Sequence, residues 1–170
     1  MLIEKFQKRG HVALQADGDA DTLICNTTIN IACKGRTFQV VGEDIDLLCI
    51  LIAGTPLISA DIMYFKPGKR KYPAYAYLIQ EIQSKSPELK QSILFSHAAS
   101  GCDMASAFFG KGKILNFKKV QRPEMNNLVE VFNNCESTKD EIFAAMCQYH
   151  IFYAPAFFEF HLRILHTVII

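Results

Sequence analysis

The sequence lacks the short motifs that mark many nucleotide-dependent and metal-dependent enzymes. It has no Gly-x-Gly-x-x-Gly and no Walker A segment, which argues against dinucleotide binding and P-loop nucleotide binding. It also has no Cys-x-x-Cys and no His-x-x-x-His spacing, which argues against the common zinc sites. No Gly-x-Ser-x-Gly elbow accompanies its serines, so a serine hydrolase is not supported. The remaining candidates for chemistry are carboxylates.

An excess of either charge is also missing. Eighteen Lys and Arg against 17 Asp and Glu give a formal charge of +1, so a charged partner must be met by a local patch. Residues 1–10 lack the apolar segment of a secretory signal, and the six cysteines are scattered, mostly in apolar stretches. We therefore expect buried, reduced thiols in a protein of the cytoplasm or nucleus.

Half of the 170 residues are hydrophobic, which suits a compact domain with a substantial core. The one long apolar stretch, residues 151–170, is interrupted by Pro155, Glu159 and Arg163. Because each charge near the middle of a membrane span costs about 2.5–3.5 kcal/mol, we expect a packed terminal helix or a truncated end here, and no membrane anchor.

Short β-prone runs alternate with apolar helical segments along the chain. This alternation predicts an α/β fold in which helices cover a parallel sheet, with a more helical C-terminal part. Strands are predicted at 38–41 and 62–65. Helices are predicted at 19–34, 45–53, 72–83, 87–99, 113–120, 124–132 and from 139 to about 150, the last opened by a capping box at Thr138 and Glu141. We divide the chain into a core at 1–120 and a helical extension at 121–170.

Three acidic clusters lie at predicted element ends. They are Asp17, Asp19 and Asp21; Glu43, Asp44 and Asp46; and Asp103. Parallel sheets collect such ends at one edge, where the carboxylates would repel each other unless a hard cation neutralised them. Oxygen ligands without His or Cys suit Mg²⁺ or Mn²⁺, so the clusters predict a metal site. Taken singly, each cluster is better explained as a helix cap or solvated loop, and only their order along the chain favours the site.

Three segments carry this order. Residues 15–24 contain Gly-Asp-Ala-Asp-Thr-Leu-Ile, residues 40–48 contain Val-Gly-Glu-Asp-Ile-Asp-Leu-Leu, and residues 96–113 contain Gly-Cys-Asp followed by Gly-Lys-Gly-Lys. Together they resemble the core of the PIN-like, flap-endonuclease (XPG-type) 5′-nuclease superfamily. They are most similar to a group of transposon-associated animal proteins with the same three motifs. The resemblance covers residues 12–119.

The resemblance implies a PIN-like parallel sheet and metal-dependent hydrolysis of DNA phosphodiesters. In that family, matching carboxylates hold two divalent ions, so Mg²⁺ or Mn²⁺ would be held here by Asp19, Asp21, Asp44, Asp46 and Asp103. A glycine-lysine hairpin in the C-terminal part of the fold would contact the phosphate backbone of DNA, or of RNA, without reading bases. Its residues are Gly110, Lys111, Gly112 and Lys113.

Two departures from the family pattern support a different hypothesis. The family has a further aspartate on its first strand, whereas residues 1–14 contain only Glu4 as an acid, and residues from His150 onward match no family feature. The first strand is therefore expected to be missing. The alternative function is a non-catalytic remnant that binds nucleic acid or a partner protein. A third expectation is a chain that does not fold alone, because a missing strand exposes a sheet edge.

A group of tyrosines has two interpretations. Tyr72, Tyr75 and Tyr77 follow the basic residues 69–71. The rings could stack on unpaired bases beside phosphate-binding lysines. Equally, they could form the partly buried face of an amphipathic helix.

Overall fold

The computed structural model describes residues 2–100 and 113–153. The chain divides into two compact units, one up to Lys90 and one from Gln91 onward. This division differs from the expected one at residues 120 and 121. The reason is that Val120 is buried in the same core as Phe95 and Tyr149, so the helix at 113–120 belongs with the C-terminal elements.

The first unit is a mixed α/β arrangement around a small sheet. Its elements are α1 (Leu2–Gln7), α2 (Ala20–Ala32), β1 (Phe38–Val41), α3 (Ile45–Gly54), β2 (Ile62–Lys66), β3 (Tyr75–Leu78) and α4 (Ile79–Lys85). The three strands are ordered β1-β2-β3. β1 and β2 are parallel, with Phe38 opposite Ile62, as expected for an α/β fold.

The prediction of a purely parallel sheet, with a helix over 72–83, is wrong at β3. This strand pairs antiparallel with β2, from Met63–Leu78 to Lys66–Tyr75. The connection between the two strands is a short hairpin, and a parallel return would need a crossover of a dozen or more residues. Lys69 and Tyr72 exchange backbone hydrogen bonds of 3.0 and 2.8 Å across the turn, which fixes the antiparallel return.

The core of the first unit forms where α2 packs against α3 and β1, and where α4 packs against α3, β2 and β3. Fully buried side chains include Cys25, Leu51, Ile62 and Tyr64. Gly42, which follows β1, is needed for close packing. A Cβ at this position would lie 2.7 Å from a methyl group of Leu47 and 3.1 Å from the ring of Tyr64.

A buried glutamine joins α4 to the C-terminal end of α3. Gln83 donates its amide hydrogens to the carbonyl of Ile52 at 2.7 Å and to that of Thr55 at 2.9 Å. The Lys90 ammonium donates to the Thr55 carbonyl at 2.8 Å. These bonds satisfy carbonyl groups that the end of a helix leaves without an intrahelical partner.

The second unit is helical over its described residues. It contains α5 (Pro87–Ala99), which begins in the first unit, α6 (Lys113–Val120), a 3-10 turn at Pro123–Met125, α7 (Asn126–Asn133) and α8 (Lys139–Tyr153). Phe95 lies at the centre of the core, with ring centroids 5.1 Å from Phe132 and 5.5 Å from Tyr149 in edge-to-face geometry.

Two polar arrangements stabilise this unit. The buried Asn116 donates to the Ser96 carbonyl at 2.9 Å and accepts a hydrogen bond from the Tyr149 hydroxyl. The predicted capping box is confirmed. The Thr138 amide donates to the Glu141 carboxylate at 2.7 Å, and the Glu141 amide donates back to the Thr138 hydroxyl at 3.3 Å.

The cysteines only partly match the expectation of buried thiols. Cys25 and Cys49 are buried and Cys147 is half-buried, but Cys33, the C-cap of α2, and Cys135, in the turn after α7, are exposed. All five are free thiols, and Cys102 lies outside the described residues.

No helix within residues 2–100 and 113–153 is long and apolar enough to cross a membrane. Most of the apolar stretch at 151–170 lies outside the described residues.

Candidate functional site

The first acidic pair lies at the beginning of α2. Asp19 is the N-cap, and its carboxylate accepts hydrogen bonds from the Thr22 amide at 2.9 Å and the Thr22 hydroxyl at 2.8 Å. These bonds favour the ionised form and lower the pKa of Asp19. Asp21 lies in the first turn of the same helix.

The second acidic pair lies at the beginning of α3. Asp44 is the N-cap, with extended backbone at φ −88° and ψ 144°, and its carboxylate accepts from the Asp46 amide at 3.2 Å. Asp46 lies in the first helical turn. The helix begins at Ile45, as the prediction of a helix at 45–53 requires, so Asp44 and Asp46 are not alternate residues of one extended strand.

Asp21 interacts electrostatically with residues of both pairs. Its pKa is raised, first by burial and then by repulsion from Asp19, Asp44 and Asp46. The Asp21 carboxylate receives no hydrogen bond or ion pair from the described residues, whereas the Asp21 amide donates to the Asp19 carboxylate. The first two acidic clusters are therefore close enough to interact electrostatically.

The field of these carboxylates also reaches two neighbouring core side chains. Burial, followed by Asp21 and Asp19, raises the pKa of the Cys25 thiol to about 12. The pKa of Tyr64 is raised by burial, then by Asp44 and Asp21. Cys25 donates its thiol hydrogen to the Leu47 carbonyl at 3.7 Å, inside the α2 and α3 contact. Cys25 and Tyr64, the core side chains next to these aspartates, are therefore held in their neutral forms.

Sequence reasoning missed two residues of this region. The Tyr64 hydroxyl donates to the backbone carbonyl of Asp44 at 2.6 Å, which ties β2 to the cap of α3. Lys69 forms an exposed ion pair with Glu43, the residue before that cap. The basic run at 69–71 was a signal for the ion pair. The only sequence signal at Tyr64 was its position in a β-prone run, and such a run does not show what the tyrosine hydroxyl contacts.

The residues present fit a hard cation in their chemistry, since the donors are carboxylate oxygens, although Asp19 and Asp44 are exposed and only Asp21 and Asp46 are half-buried. Within the described ranges, no three Asp, Glu, His or Cys side chains are arranged so that they could hold a metal ion. Asp103, the fifth predicted ligand, lies outside those ranges, as do Gly110, Lys111 and Gly112. Lys113 is the first residue of α6. Comparisons of the chain with protein-family models, curated proteins and solved structures found no match.

Proposed function

We propose that this protein hydrolyses phosphodiester bonds in DNA with the help of Mg²⁺ or Mn²⁺. The ligands would be Asp19, Asp21, Asp44, Asp46 and Asp103. The observation that carries the proposal is that the beginnings of two packed helices, α2 and α3, place Asp19, Asp44 and Asp46 within electrostatic range of Asp21 and so help to raise its pKa. Burial and mutual repulsion of this kind are common at functional sites, where a bound cation relieves the repulsion.

The hydrogen bonds of the two caps fit this role. At Asp44, the Oδ1 atom accepts the Asp46 amide, so the cap bond orients the carboxylate and leaves Oδ2 for a cation. Asp19 is oriented by Thr22 in a similar way. Asp21 contributes a carboxylate whose charge interacts with both Asp19 and Asp44. The chemistry that a divalent ion supplies at such a site is activation of water and stabilisation of the leaving oxygen.

A thermal melt of the full chain in Mn²⁺ or in EDTA tests whether the carboxylates bind metal. A ligand that binds only the folded state raises the melting midpoint. We expect Mn²⁺ to stabilise the parent and to leave the Asp44→Asn, Asp46→Asn double variant unchanged. Asparagine is as good an N-cap as aspartate, so this variant keeps the beginning of α3.

The matched control is Asp61→Asn. Asp61 is exposed and precedes β2, at the end of the strand opposite the hairpin. This variant should keep the full response to Mn²⁺. An equal response in the double variant would show that the metal binds elsewhere.

Cleavage is then measured on flap and single-stranded DNA with Mn²⁺. Loss of cleavage in the double variant, with the Asp61→Asn control active, is the expected result. Cleavage by the double variant at the parental rate would overturn the mechanism.

A second function is favoured by the cap bonds themselves. Asp19 and Asp44 both have structural roles as N-caps, which explains them without a metal. In this alternative the chain binds nucleic acid or a partner protein and has no metal-dependent turnover. It predicts salt-sensitive DNA binding that is weakened by Lys111→Ala and Lys113→Ala. Unchanged affinity in those two variants would contradict the nucleic-acid form of this alternative.

A further inference from the structure

The hairpin formed by β2 and β3, residues 62–78, carries a group of cations at its tip. Arg70 and Lys71 occupy the turn between Lys69 and Tyr72, and both are exposed. Arg70 has φ of 46°, a left-handed conformation that non-glycine residues rarely adopt. The backbone therefore reverses sharply at two cationic residues.

One face of this hairpin carries a row of tyrosine rings. The register places Tyr64 opposite Tyr77 and Lys66 opposite Tyr75, so these four side chains share a face. The rings of Tyr75 and Tyr77 are stacked, with centroids 6.3 Å apart and an interplanar angle of 18°. The centroids of Tyr77 and Tyr64 are 6.5 Å apart.

The exposure of the rings increases along the row. Tyr64 is 1% exposed, Tyr77 is 36% and Tyr75 is 47%. Tyr72, close to the tip, is 76% exposed. Packing within the protein therefore accounts for Tyr64 but leaves much of the outer rings in contact with water. The strand assignment also removes the alternative that these tyrosines form the face of an amphipathic helix.

The charge of the hairpin is only partly compensated. Lys69 pairs with Glu43, whereas no acidic side chain in the described parts of the chain pairs with Lys66, Arg70 or Lys71. Lys66 lies directly across the ladder from Tyr75. Aromatic rings beside cations are the combination that single-stranded nucleic acid requires, because bases stack on the rings and phosphates bind the cations.

We propose that this hairpin binds single-stranded nucleic acid, with bases stacked on Tyr75 and Tyr77 and phosphates bound by Lys66, Arg70 and Lys71. The inner end of the row adjoins the acidic residues, because the Tyr64 hydroxyl bonds the Asp44 carbonyl at 2.6 Å. A strand held on the hairpin would therefore lie beside the carboxylates. The inference that this strand is the substrate of the carboxylate site rests on the proposed function. Binding of the strand to the hairpin requires neither metal nor cleavage.

Fluorescence anisotropy of a labelled oligothymidylate with the full chain in EDTA tests the proposal. Base stacking on one ring is worth about tenfold or more in affinity, so Tyr75→Ala should weaken binding by about that factor. Tyr75→Phe, which keeps the ring, should bind like the parent. A duplex of the same length should bind more weakly, because its bases are not free to stack.

The cations are tested by the salt dependence of binding. Each phosphate contact to a single strand contributes about 0.7 to the slope of log affinity against log salt. The Arg70→Gln, Lys71→Gln double variant should therefore have a shallower slope, smaller in magnitude by about 1.4. Lys34→Gln is the matched control. Lys34 is exposed and follows α2. The end of α2 lies beside the residues that precede β2, because the Ala60 amide donates to the Ala32 carbonyl. Lys34 is therefore near the beginning of β2, whereas the hairpin tip follows the end of that strand.

Three results would overturn the proposal: no binding of the single strand, unchanged affinity in Tyr75→Ala, or an equal loss in Tyr75→Phe and Tyr75→Ala. Dimerisation that Tyr75→Ala abolishes, without binding of the oligonucleotide, would assign β3 to a second copy of the chain instead. The two proposals fail separately. Binding in EDTA without cleavage in Mn²⁺ would contradict only the nuclease, whereas cleavage with unchanged affinity in Tyr75→Ala would contradict only the hairpin.

Discussion

At the scale of single residues, the fold changes the protonation of Asp21, in the first turn of α2. Its pKa is raised above the ordinary 3.8 by burial and by three neighbouring aspartates. Folding therefore favours the protonated form. The stability that Asp21 contributes is present below its unfolded pKa and is lost as pH rises through the higher folded pKa.

Asp21→Asn should therefore stabilise the protein at neutral pH in the absence of metal. We expect a rise of about 1–3 °C in the melting midpoint at pH 7 in EDTA, which disappears as the pH falls below 4. Melts at a series of pH values check this prediction, with Asp61→Asn as the control. A lower midpoint for Asp21→Asn at pH 7 would show that the favourable interaction of the Asp21 charge with the N-terminus of α2 outweighs its repulsion by the neighbouring aspartates.

Thiol reactivity tests the burial around Cys25. The pKa of this thiol is raised to about 12, so almost none of it is the reactive thiolate at pH 8. Cys33 and Cys135 are exposed. Labelling of the native protein with iodoacetamide, followed by peptide mass spectrometry, should modify these two within the time in which Cys25 stays unmodified. Equal labelling of Cys25 would show that the α2 and α3 contact opens readily.

At the scale of elements, local signals predicted most helices and two strands well. β1 lies at 38–41 as predicted, and α5 covers the predicted range of 87–99. These elements have clear end signals, such as Gly42 after β1 and Pro87 at the beginning of α5. β3 was not predicted, because its four residues become a strand through their hydrogen bonds with β2. Such pairing between segments is a tertiary contact, and no hydrophobic periodicity within residues 75–78 signals it.

Gln83 tests how α4 is fixed to α3. Gln83→Leu replaces the amide with an apolar group of similar size and leaves the buried Ile52 carbonyl without its hydrogen bond. We expect a loss of about 2 kcal/mol in the free energy of unfolding by urea. Gln39→Leu, at an exposed position in β1, is the control and should change stability little. Equal stability of Gln83→Leu and the parent would show that packing alone holds α4.

At the scale of the whole molecule, the chain contains two compact units with different interiors. The first unit encloses its core between helices and a sheet, whereas the second packs helices around Phe95. The acidic residues of α2 and α3 and the tyrosine hairpin all belong to the first unit. A change in the core of the second unit should therefore act mainly on that unit.

Tyr149→Phe tests this separation. The substitution removes the hydroxyl that donates to the buried Asn116, which should cost about 1–2 kcal/mol. Hydrogen exchange measured by mass spectrometry should show reduced protection in peptides from 91–100 and 113–153, with peptides from 2–90 unchanged. Tyr72→Phe, at an exposed position in the first unit, should change neither set. Reduced protection throughout the chain would indicate that the two units unfold together.

The sequence by itself determined the helix starts, the parallel pair of strands and the positions of the acidic residues at element ends. These follow from capping chemistry, hydrophobic period and glycine punctuation, which act within a few residues of the chain. Only the tertiary structure decided that the charges of Asp44 and Asp46 reach Asp21, that Tyr64 bonds the cap of α3, and that Tyr75 and Tyr77 stack on an exposed strand. Burial, Coulomb repulsion and ring stacking act through space, so they appear only when distant segments pack together.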